Sequence, residues 1–353
     1  MSYFKNLPIS ITVFSENCGG HLQGIAIDKD REFIYCSFTT CLIKADLKGN
    51  IVGSVDGLAG HLGCIAYNYN DGKVYGSLEF KGDSIGRGIL KKIGYTGELK
   101  DGFYIVSFDV DKIDRMNMDA EKDGVMKAVF LNEVYNDYSA PAHNFGCSGI
   151  DGVTLAPAIG SIDKKQYIYV AYGIYGDTSR TDNDYQVILK YDISDWEQYA
   201  RPLNQRDMHR FGPKKPDEKY FVYTGNTTYG IQNLEYDSFS DTMIAAVYKG
   251  KKEEFPNYST FFIDCTKKTT TEVLKGIGKE GSVIPLTDFG EKPSENNISG
   301  SHFPLGSTGI ISLGEGYFYI ADSFAKDSGH GGVIELYKLD RKNLSFIKVA
   351  SDN

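Results

Sequence analysis

The feature that most limits what this chain can become is a weak internal repeat, met five times along its 353 residues. Residues 21–47 read HLQGIAIDKDREFIYCSFTTCLIKADL, and residues 61–79 read HLGCIAYNYNDGKVYGSLE, followed by FYIVSFD at 103–109. A third unit joins GVTLAPA (152–158), QYIYVAYG (166–173) and QVILKYD (186–192). The fourth joins IQNLEYD (231–237), DTMIAAVYK (241–249) and TFFID (260–264), and the fifth joins TGIISLG (308–314), YFYIADS (317–323) and VIELYKLD (333–340). Each unit opens with a strand of small residues. A tight polar turn, a Tyr-rich strand and a third strand ending near Asp follow. Period-two alternation with Gly, Asp and Asn at the breaks predicts strands rather than helices. The best helix signal is the segment around DWEQYA (195–200).

A fourth strand is expected after each unit, at NIVGSV (50–55), MKAVFL (126–131), KYFVYT (219–224), SVIPLT (282–287) and LSFIKVA (344–350). One such unit cannot bury both faces of its sheet, so the units must stack around an axis. Four antiparallel strands repeated in this way predict an all-β fold, a single β-propeller over residues 1–353. The five blades are expected near 21–57, 61–132, 150–225, 231–288 and 306–350. The stretches 110–150 and 192–228 leave room for a sixth, degenerate blade. SITVF near 9–14 is a spare strand that would close the ring against the last blade and protect its edge. In its "GIA…D…YxxS…L…D…G" rhythm the chain resembles a generic β-propeller of the six-bladed or NHL-like type. That likeness implies the fold and no particular chemistry.

Composition fits this architecture and narrows the partners. The 25 Tyr, 20 Phe and 39 Gly suit pleated surfaces and turns. The formal net charge is -9, and no run of Lys or Arg forms a stripe. Nucleic acid and anionic membrane are therefore not expected partners. The N-terminus MSYFKNLPISITVF lacks the apolar core of a secretory signal, and no stretch is long enough to span a bilayer. The cysteines are Cys18, Cys36, Cys41, Cys64, Cys147 and Cys265, with no CxxC pair. Cys36, Cys41 and Cys64 lie in apolar strands, where thiols pack as small core residues. Together these features lead to the expectation of a reduced, cytoplasmic protein.

In a blade, the start of the inner strand shares a face with the loop between strands two and three. That loop reads as long in four blades, at 80–102, 174–185, 249–259 and 324–332, which marks this face as the working one. Histidines favour it too. His21 and His61 hold identical repeat positions, four residues ahead of Ile25 and Ile65, while His143 and His302 precede the inner strands of blades three and five. Converging imidazoles could hold a divalent metal ion, making His21, His61, His143 and His302 the candidate ligands. Each could equally just hydrogen-bond the backbone of a neighbouring blade. Gln23, Asp151 and Gln232 occupy corresponding inner-strand positions beside them.

The loops and strand ends add the remaining candidates for acid–base work. His21, His61, Glu79, Lys81, Arg87, Tyr172, Tyr248 and Asp322 form the candidate catalytic set. Glu79 and Asp322 could act as a carboxylate pair, and Tyr172 and Tyr248 could stack on a sugar or donate a proton. GDSIGRG lacks the Lys-Ser/Thr ending of a phosphate loop, and DTSRTDND lacks the spacing of an EF-hand. HExxH is absent. Two readings follow. One is a lyase or hydrolase, metal-assisted, acting on a small polar or sugar-like molecule at the channel mouth. The other is a non-catalytic scaffold that binds a ligand or a protein there.

Overall fold

Five sheets stand around an axis in the computed structural model, which describes residues 7–16, 18–92, 94–97, 100–289 and 295–350. They form a five-bladed β-propeller. Blade one comprises Leu22–Ile27, Phe33–Phe38, Cys41–Asp46 and Ile51–Asp56. Blade two comprises His61–Asn68, Lys73–Phe80, Gly102–Phe108 and Met126–Phe130. In blade three the strands are Cys147–Pro157, Gln166–Ile174, Tyr185–Tyr191 and Glu218–Tyr223. Blade four has Thr228–Asp237, Thr242–Tyr248 and Thr260–Asp264. Blade five has Ile310–Gly314, Tyr317–Lys326 and Gly329–Asp340.

Each strand sends alternate residues into the two blades beside it. On the third strand of blade two, Tyr104, Val106 and Phe108 pack toward blade one, while Phe103 and Ile105 pack toward blade three. Burying a side chain of this size stabilises by about 1.5–3 kcal/mol. Among the described residues the apolar side chains fall into five clusters, one at each junction, including blade five against blade one. At the axis the inner strands come very close together. A Cβ on Gly24 would lie 2.9 Å from Cα of Cys64, so only glycine lets blades one and two meet there.

The ring closes as the repeat predicts. Ser10–Ser15 pairs antiparallel with Gly329–Asp340, and Ser345–Lys348 pairs with the other half of that same strand. The two pieces meet at Leu336, whose N–H donates to the carbonyl of Ile9 (2.9 Å) and whose carbonyl accepts from Val349 N–H (2.9 Å).

Four expectations need correction. SVIPLT does not complete blade four: Glu280–Val283 joins blade three, parallel to its fourth strand, because a hairpin with Thr270–Val273 carries it there. Blade four is edged instead by bridges from Leu286 to Ile263 and from Ser301 to Thr260. Residues 324–332 are not a long loop, since the ladder runs on through Phe324↔Gly331 and Lys326↔Gly329 to a tight turn. Helices form at Ser84–Lys92, inside the 80–102 segment, and at Asn132–Ser139, whereas the DWEQYA segment makes only one 3-10 turn, Trp196–Gln198. In 80–102, positions 93, 98 and 99 lie outside the described residues. Finally, Cys18 and Cys41 form a disulfide, so the reduced reading fails for that pair; Cys36, Cys64, Cys147 and Cys265 are free and buried. Among the described residues no helix is long and apolar enough to cross a membrane.

Candidate functional site

The alternation LEFK at the end of the second strand of blade two puts Leu78 and Phe80 into the core and Glu79 and Lys81 on the opposite side. The antiparallel register then sets His61, first residue of the inner strand, across from Glu79. Lys81 Nζ lies 2.5 Å from Glu79 Oε1, 3.8 Å from Asp83 Oδ2, and donates to the carbonyl of Ser148 at 2.9 Å. Glu79 Oε2 accepts the N–H of Ile150 at 3.0 Å, and Oε1 lies 3.6 Å from His61 Nδ1. This ties the second blade to the inner strand of the third, where Asp151 follows Ile150. Asp83 also fixes what covers the cluster, because its Oδ1 accepts the N–H of Gly86 in the first turn of Ser84–Lys92.

Glu79, Lys81 and Asp151 are all buried. Burial alone would raise the Glu79 carboxyl, but Lys81 and His61 outweigh it and hold Glu79 below the usual carboxylate range. Burial also opposes the charge on Lys81, yet Glu79, with Asp83 and Asp151, keeps the ammonium above its ordinary value. For His61 burial lowers the affinity for a proton, and Glu79 and Asp151 more than reverse this. Asp151 behaves oppositely to Glu79. Burial pushes it up to about 7; the Glu79 charge adds to this, while His61, Lys81 and a hydrogen bond from the Gln232 side chain oppose it.

The place of Asp151 is dictated by a glycine. A Cβ on Gly63 would fall 2.3 Å from Asp151 Oδ1 and 2.5 Å from Ser77 Oγ. Blade four supplies the other wall. The phenol of Tyr248 is bonded to Ser307 and feels the charge of Asp151. On the other side, His143 lies between the rings of Tyr138 and Tyr175, at 4.9 and 5.2 Å, and the Tyr175 phenol feels Lys81, Asp83 and Glu79.

Of the sequence candidates, then, His61, Glu79 and Lys81 form one cluster, and Tyr248 is linked to it through the charge of Asp151. The others are elsewhere. His21 is exposed, and its Nε2 lies 3.1 Å from Gln23 Nε2. Blade one carries Thr39 where blade two carries Glu79 and Cys41 where it carries Lys81, so the same repeat position has no carboxylate to meet. His302 packs on Tyr258 at 4.9 Å. The four histidines thus keep separate company. Among the described residues no three His, Cys, Asp or Glu side chains are grouped to hold a metal ion. Arg87 is an exposed helix residue bonded to the carbonyl of Gly82. Tyr172 is fully buried and donates to Asp137 Oδ2 at 2.7 Å, which makes it a core strut and not a channel residue. Asp322 is exposed and acts on the phenol of Tyr337, so it shares no partner with Glu79. The acid that does accompany Glu79 is Asp151, whose signal in the sequence was its shared inner-strand position with Gln23 and Gln232.

No protein-family model matches the chain, and no curated protein matches it. Among solved structures it is similar to the propeller of Dos1, at 10% identity and TM-score 0.37 over 94% of this chain. It spans 59% of the length of that Dos1 chain. It is also similar to a putative gluconolactonase, at 12% identity and TM-score 0.33, covering 97% of this chain and 94% of that one. A third is a GH43 β-1,3-galactosidase with galactodeoxynojirimycin, at 12% identity and TM-score 0.43, covering 94% of each chain.

Proposed function

We propose that this chain is an enzyme that moves protons on a small polar, sugar-like molecule at the mouth of the axial channel formed by blades two, three and four. One observation carries the reading. Two carboxyl groups, Glu79 and Asp151, share a buried environment that drives their proton affinities apart. Such a split assigns roles. Glu79, held by Lys81, the Ile150 N–H and His61, stays ionised and supplies a fixed negative charge. Asp151 titrates near neutrality and can donate or accept a proton. This set of side chains is sufficient for lyase or hydrolase chemistry of the acid–base kind.

The test is a panel of aryl glycosides, sugar lactones and uronate-containing disaccharides, incubated with the protein and followed by product analysis across pH. Turnover of at least one compound is expected, with a pH limb near 7. Asp151→Asn should reduce it about a hundredfold or more. Turnover of none, or equal turnover by Asp151→Asn, ends the enzymatic reading.

A second reading, a binding scaffold without catalysis, is favoured by the recess lined by His61, Glu79 and Lys81. Gly86 and Ile89 of the helix Ser84–Lys92 line it as well, and at ~10 Å³ it admits about one water molecule. As to location, the Cys18–Cys41 disulfide favours an oxidising compartment over the cytoplasm expected from the sequence.

A further inference from the structure

The larger space lies at the opposite mouth. Where the five inner strands end, a recess of about 460 Å³ opens, lined by residues from every blade. It adjoins a second recess of about 460 Å³ between blades two and three, with Asn68, Asn70, Lys164 and Gln166 lining both. Either volume suits a small ligand.

Glu235, on the inner strand of blade four, lines this mouth. Its Oε1 accepts the N–H of Ser312 at 2.8 Å, and its other oxygen takes no hydrogen bond from the described residues. Burial, with Asp237 adding, pushes its pKa up to about 8, so at neutral pH it carries a proton to donate. Arg31 reaches in from the first turn of blade one, its Nη2 donating to the carbonyl of Leu313 at 2.8 Å. Lys29 and Lys164 stand exposed among the lining residues. From blade two comes Tyr69, 56% exposed, its ring edge-on to Tyr67 at 5.2 Å, while Tyr67 stacks on Tyr35. The Tyr69 phenol feels both Glu235 and Arg31, so the three converge.

We propose that this second mouth is a ligand site distinct from the Glu79–Asp151 cluster, and that it takes a sugar acid, a polyhydroxylated molecule bearing one carboxylate. Three cations with a carboxyl group that can donate a proton select an anion. Exposed Tyr69 offers a face for the C–H side of a sugar, and the amides and hydroxyls of the lining, Asn68 and Thr154 among them, suit its hydroxyl groups. The proposal does not depend on catalysis at the other mouth.

Isothermal titration of the whole protein with D-glucuronate, D-galacturonate and D-gluconate, and with D-glucose for comparison, tests it. At least one acid should bind, and D-glucose should bind at least tenfold more weakly. Tyr69→Ala and Glu235→Ala, with thermal melts showing that both are folded, should each weaken the acid at least tenfold. No binding by any acid, equal binding of D-glucose, or undiminished binding by Tyr69→Ala would overturn the assignment. Loss of binding in Asp151→Asn with none in Tyr69→Ala would move the ligand to the other mouth and overturn it as well.

Discussion

The ammonium of Lys81 and the carboxylate of Glu79, two residues apart in the chain, meet at 2.5 Å in an interior where each is at most a tenth exposed. Neither is tolerated there alone. Lys81→Met should leave Glu79 as an uncompensated buried charge and cost about 3–5 kcal/mol in urea unfolding. The double variant Glu79→Gln, Lys81→Met should recover much of that loss. Equal stability of the single and double variants would show that the pair is not coupled.

Asp151 should leave a pH signature on stability. Its folded pKa of about 7 lies above the ordinary 3.8, so the folded chain holds the proton more tightly than the unfolded one. The resulting stabilisation is present at low pH and is lost as pH rises from about 4 through about 7. Asp151→Asn should therefore gain on the parent protein between pH 5 and 8, by on the order of 2–4 kcal/mol, and then level off. Glu79 runs the other way: its lowered pKa contributes stability above its ordinary value of 4.5, which is lost as pH falls through the folded value. Thermal melts of Asp151→Asn and of Glu79→Gln across pH 3–9 separate the two slopes.

Gly63→Ala should disturb the site without replacing a charged residue. The new methyl group would fall on Asp151 Oδ1 and Ser77 Oγ. A cost of about 1–3 kcal/mol is expected, together with a displaced Asp151 titration visible by carboxyl carbon NMR.

Tyr172→Phe should act on the frame alone. Asp137, which accepts from Tyr172, is also paired with Lys219, and Lys219 with Glu133, so the helix Asn132–Ser139 is pinned to blade three. Losing a hydrogen bond to a charged group costs about 1.5–3 kcal/mol. Chemical unfolding should show that loss, while turnover at the channel mouth stays as in the parent.

Reduction of Cys18–Cys41 should lower stability by about 2–4 kcal/mol, since the bond spans 23 residues and restrains the unfolded chain. Melts with and without a thiol, and of Cys41→Ser, measure it.

What the sequence made legible follows from local periodicity. A short, almost wholly apolar run such as Phe103–Phe108 marks a strand because both faces of a blade are buried, whereas the meeting of Glu79 with His61 and Lys81 depends on strand register, and the sequence offered Asp322 as the partner of Glu79. The failures are non-local. Nothing within residues 280–283 says that they leave blade four for the edge of blade three. The glycines of 329–332 resemble a loop, yet Gly331 lies against the carbonyl of Val13 and Gly332 against Leu22, contacts made by distant parts of the chain. The helix Ser84–Lys92 contains Gly86 and Gly88, which weaken its intrinsic preference, so the cap at Asp83 and packing of Ile89 support it instead. Asp322 read as a site acid because alternation shows which residues share a face, not which face looks at the axis. Glu235 passed unnoticed in LEYD for the same reason.

The seam at Leu336 makes the outermost strand of blade five a single strand written in two halves, from opposite ends of the polypeptide. Tearing the torus there means parting head from tail, an event that frees blade one and blade five together. Solvent exchange at the Leu336 amide therefore reports on rupture of the whole annulus, and it should be as slow as global unfolding although it lies on the periphery.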